Sequence, residues 1–82
     1  MAKADEWRQT AFSVYRLAHA ELLEHHRRPP REDLQYYLEE LAESLLDLKQ
    51  ATIAGDEAGA VKYMSESLAL LSELRLRSRG EE

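Results

Sequence analysis

"LEHHRRPPRED", residues 23–33, sets two histidines, three arginines and two prolines between two apolar patterns of helical period. A proline has no backbone donor, and the residue before it is pushed out of helical geometry. The stretch is therefore expected to be a corner. One helix ends near Arg28, and the next starts near Pro30, which a first turn tolerates because its missing N–H would have no partner there.

Upstream of the corner, helix 1 is expected over about residues 5–28 with Asp5 as N-cap. At about 100° per residue, Trp7, Ala11, Val14, Ala18 and Leu22 share a narrow arc, and Phe12, Tyr15 and Leu23 widen one side of it. Downstream, helix 2 is expected over about 30–54, with Glu32 and Asp33 complementing its dipole. Leu34, Leu38, Leu41, Leu45 and Leu48 recur at alternating steps of four and three. That seam is shorter than a free-standing coiled coil requires, so it suits an antiparallel bundle.

A second break lies in "ATIAGDEAGA", residues 51–60, where Gly55 suits a left-handed C-terminal position and Asp56 a following N-cap. So tight a turn makes its flanking helices antiparallel neighbours. Helix 3 is expected over about 57–77, with its core seam on Val61, Met64, Leu68 and Leu71, and a tail fraying over 78–82. The fold class that follows is all-α: one domain, a small three-helix bundle made of helix 1 and a helix 2/helix 3 hairpin.

Tyr63, Leu70 and Leu74 extend the apolar arc of helix 3 beyond one stripe. A short chain without cysteine has few other means of gaining stability, so the surplus implies self-association, with a dimer favoured. Tyr36, opposite the helix 2 seam, joins Tyr63, Leu70 and Leu74 as an expected partner or oligomer interface.

Composition narrows the function classes. The formal net charge of −5 argues against general affinity for nucleic acid or anionic membrane. No apolar run is long enough to span a bilayer and no secretory signal is visible, so a cytoplasmic protein is expected. His19, His25 and His26 lack the Glu-x-x-His and His-Glu-x-x-His spacings of metal sites, and are expected as surface or capping residues. The serines have no visible base or Gly-rich elbow, and no phosphate loop occurs. No catalytic residue, metal or cofactor is expected.

In an antiparallel bundle the corner and the end of helix 3 share one pole. Arg27, Arg28, Arg31, Arg75, Arg77 and Arg79 would gather there beside the helix 2 N-terminus, a possible site for phosphate or carboxylate. Glu24, Glu32, Asp33 and Glu73 lie nearby as competitors. The carboxylates of helix 2, offset within it only by Lys49, form a solvated face or a dock for a basic partner. The leading expectation is a non-enzymatic protein-binding module: an inhibitor, an immunity or antitoxin partner, a chaperone or a phage-encoded regulator. The alternative is a nucleic-acid or nucleotide binder using the arginine pole.

Overall fold

The computed structural model describes residues 2–80, and the side chains of residues 6–79. Among these, three helices pack against one another: α1 (Ala2–His26), α2 (Glu32–Ala54) and α3 (Glu57–Gly80). The extents of 48 × 19 × 17 Å are those of a rod of helices. No described helix is long and apolar enough to cross a membrane.

The helix ends differ from the sequence expectation in instructive ways. The backbone is already helical at Ala2, so Asp5 lies inside α1 and is not its N-cap; Ala2, Lys3 and Ala4 are good helix formers and need no later start signal. At the corner α1 stops at His26, two residues short of Arg28, and the last turn tightens as the Arg28 N–H donates to the His25 carbonyl at 3.2 Å. Pro30 stays outside α2. The N-cap is Arg31, extended at φ −123° and ψ 117° and without a side-chain cap. The prolines thus consume more chain than one helical boundary needs. At the other end α3 passes Arg77 and runs to Gly80 through the helix-favouring "RLRSR" stretch, so fraying does not begin at Ser78. Glu81 and Glu82 lie outside the described residues.

The second turn forms as its residues dictate. Gly55 adopts φ 81°, the Asp56 N–H donates to the Ala51 carbonyl at 2.9 Å, and the Gly55 N–H to the Thr52 carbonyl at 3.3 Å. This is the paired closure of a Schellman motif. Asp56 then caps α3, its Oδ1 accepting the Gly59 N–H at 3.0 Å.

The core is built on the α2 leucines: Leu34, Leu41 and Leu48 are wholly buried, Leu45 nearly so and Leu38 partly. From α1 come Ala11, Val14, Ala18 and Leu22, the arc traced in the sequence. On α3 the buried line is Ala60, Ser67, Leu71 and Leu74. The expected seam was rotated, because it kept Leu71 but placed Val61 and Leu68 inside, and these are 49% and 42% exposed. Ser67 explains the shift. Its hydroxyl is buried 2.9 Å from that of Ser44, which also donates to the Tyr63 carbonyl at 3.4 Å, so a polar pair sits where an apolar stripe was sought.

Candidate functional site

The apolar surplus of α3 lies on other residues than its sequence suggests, since Val61, Leu68 and Leu76 are the exposed ones. Leu74 is wholly buried in the chain's own core, so it faces no partner, and Tyr63 and Leu70 pack half-buried against that core. The fourth expected interface residue, Tyr36, is 63% exposed and meets Tyr37 edge to face at 5.2 Å.

The arginine pole does assemble, but largely as ion pairs. Arg27 and Arg28 reach Glu24 at 3.4 and 4.0 Å. Arg31 grips Asp33 with two donors, at 2.8 and 3.3 Å, and its third nitrogen reaches the Ser78 carbonyl at 3.5 Å. Arg75 pairs with Glu21 at 3.4 Å, and Arg77 with Glu73 at 3.3 Å while lying over the Tyr37 ring at 4.7 Å. Arg79 is exposed on the final turn. Five of the six arginines thus have carboxylate partners within the chain, which satisfies charge that an incoming anion would otherwise meet.

His25 departs from its expectation as a surface or capping residue. It is buried, with Nε2 3.4 Å from Glu21 Oε2 but without the alignment of a hydrogen bond. Because Arg75 reaches the other oxygen of Glu21, this cluster ties the end of α1 to α3. His19 stacks on Tyr15 with ring centroids 5.5 Å apart. No group of three or more potential metal ligands comes together among the described residues.

Two clefts open beside the seam between α1 and α2, the first also touched by Ser78 of α3. The first, of about 290 Å³, lies at the corner end, with His26, Arg31, Gln35, Leu38 and Ala42 among its walls. A second, of about 280 Å³, lies at the far end between Phe12, Tyr15 and Arg16 of α1 and Leu48, Lys49 and Thr52 of α2. Helical spacing places Leu23 three residues before His26, Leu46 between Ala42 and Lys49, and Ile53 one turn beyond Lys49, on the same groove. Phe12, Leu23, Leu46 and Ile53 are 49%, 50%, 54% and 69% exposed.

The groove exists because of what α1 contributes at its centre. Ala11 and Ala18 are small enough to seat α1 on the leucine layer, and the larger Phe12 and Leu23 are left on the flank. Sequence inspection named Phe12 and Leu23 as a widening of the α1 stripe and overlooked Leu46 and Ile53. The available signal was their spacing of seven, on a line clear of the leucine seam. Leu17, Val61 and Leu68 are also exposed, beside the α1/α3 seam, but there Arg75 already bridges to Glu21. No family model, curated protein or solved structure matches this chain.

Proposed function

We propose that this chain is a small, non-enzymatic protein-binding module whose docking face is the α1/α2 groove. The observation that carries this reading is that Phe12, Leu23, Leu46 and Ile53, all about half exposed or more, fall by helical spacing on the side of α1 and α2 where two clefts open, with Phe12 lining one of them. Singly exposed apolar residues are ordinary on a protein surface; several gathered on one side beside clefts support an interaction site. The partner class supported is an apolar helix face or its equivalent, the usual occupant of a groove between two helices. Binding of nucleotide or nucleic acid ranks second, since most of the arginine pole is held by internal carboxylates.

The test replaces groove residues with polar ones of similar size, Leu46→Gln with Ile53→Gln, beside a control pair, Tyr36→Gln with Leu76→Gln, on other exposed surface. The groove pair is expected to abolish binding to whatever protein the native chain captures, or to itself, while thermal stability stays within a few degrees. Loss of capture in the control pair and not in the groove pair would overturn the assignment.

A further inference from the structure

The far cleft, of about 280 Å³, has walls with two charged residues, both cations and one from each helix: Arg16 of α1 and Lys49 of α2. No carboxylate is among its lining residues. The chain as a whole sets 16 acidic side chains against 11 basic ones, so cations with no carboxylate in reach are exceptions here.

Spacing explains why these two stay unpaired. Side chains three and four residues apart share a helix face; around Arg16 those are Phe12, Ser13, His19 and Ala20, and around Lys49 they are Leu45, Leu46, Thr52 and Ile53. Neither cation has an ion pair or a ring contact among the described residues, whereas the arginines of the pole reach carboxylates and Arg8 and Lys62 lie over the rings of Trp7 and Tyr63. The corner cleft lacks this property. Glu39 stands in its wall, and its two arginines, Arg28 and Arg31, have carboxylate partners.

The rest of the far cleft is mainly apolar. Ala11 and Leu48 belong to the core, Tyr15 is partly buried against it, and Phe12 is half exposed. Thr52 donates its hydroxyl proton to the Leu48 carbonyl at 2.7 Å, which occupies its side-chain donor. Recognition of a charged group therefore falls to the two cations. We propose that this cleft binds a small carboxylate with an apolar body, the body against Phe12, Tyr15 and Leu48 and the carboxylate shared by the Arg16 guanidinium and the Lys49 ammonium. The volume is near the lower end of ligand sites, roughly 300–1,000 Å³, which restricts the ligand to a small one. Burial of the apolar body supplies attraction, and the cations select an anion over a neutral or cationic molecule of the same shape. The cleft lies at one end of the proposed docking groove, but its ligand does not depend on a protein being bound there.

The experiment titrates octanoate, octanamide and octylammonium, three head groups on one apolar chain, into the full-length protein up to low millimolar concentration and follows backbone amide shifts. Octanoate is expected to move the amides around Phe12, Arg16, Lys49 and Thr52, to bind about tenfold more tightly than octanamide, and to raise the thermal midpoint by bridging α1 and α2. Arg16→Gln and Lys49→Gln, both at exposed positions, are each expected to weaken octanoate about threefold and leave octanamide unchanged. Arg79→Gln, which removes the same charge from the end of α3, is expected to leave octanoate binding as it was. Shifts scattered over the surface, octanamide binding as tightly as octanoate, or glutamine variants that hold octanoate like the native chain would each overturn the site. This outcome is separable from that of the docking face: a chain that ignores octanoate yet loses protein capture in the Leu46→Gln/Ile53→Gln variant keeps the groove and discards only the carboxylate site.

Discussion

The α2/α3 hairpin and α1 are held by different means, and the contrast bears directly on function. The hairpin closes through a Schellman turn and an aspartate cap, is joined at its middle by the buried Ser44–Ser67 pair, and is covered near its end by Arg77 over Tyr37. Its two helices pack more extensively against each other than α1 packs against either. α1 seats Ala11, Val14, Ala18 and Leu22 on the leucine layer and gains its polar tie mainly at one end, through Glu21, His25 and Arg75. The hairpin has the features of a scaffold. α1 has those of a lid laid on it, with an open seam where another molecule can complete the packing.

The contrast breaks first at the core. Leu74→Ala, at a wholly buried hairpin position, is expected to cost about 2–5 kcal/mol, whereas Leu23→Ala on the groove edge of α1 costs less than about 0.5 kcal/mol in the monomer. Chemical denaturation of both variants at a dilution where the chain is monomeric checks this, and equal losses would remove the distinction. Next is the turn. Gly55→Ala places a Cβ at φ 81° and 2.9 Å from an Arg8 nitrogen, so a loss of about 1–2 kcal/mol is expected in the same measurement. Arg8 has a mobile guanidinium, so the backbone conformation is the larger cause.

A smaller effect sharpens the account of how the hairpin is aligned. Ser67→Ala is expected to cost about 1 kcal/mol, because Ser44 keeps only its longer bond to the Tyr63 carbonyl. Adding Ser44→Ala is expected to recover part of that loss, since removing both partners leaves no orphaned hydroxyl. Additive losses in the double variant would show that the pair does not act as a unit. Smallest is Arg77→Ala, about 0.5–1 kcal/mol from the exposed ring contact with Tyr37, read as a lowered thermal midpoint.

The same contrast explains what could be read from the sequence. The leucine seam of α2, the α1 arc and both breaks followed from periodicity and turn chemistry, because each rests on local steric rules that a single helix states by itself. The rotation of α3 did not, since the hydroxyl of Ser67 becomes a core group only when Ser44 of another helix stands opposite. Leu74 was assigned outward for the same reason. The charge of the arginines was overvalued: the pairs of Arg27 and Arg28 with Glu24, Arg31 with Asp33 and Arg77 with Glu73 follow from local spacing and were open to view, whereas that of Arg75 with Glu21 depends on the distance between helices. The groove was missed because an exposed line such as Leu46 and Ile53 is defined by what fails to cover it.

Amide hydrogen exchange tests the central claim most directly. If α1 is the lid and the hairpin the scaffold, α1 amides exchange faster than those of α2 and α3. Equal protection of all three helices would contradict it.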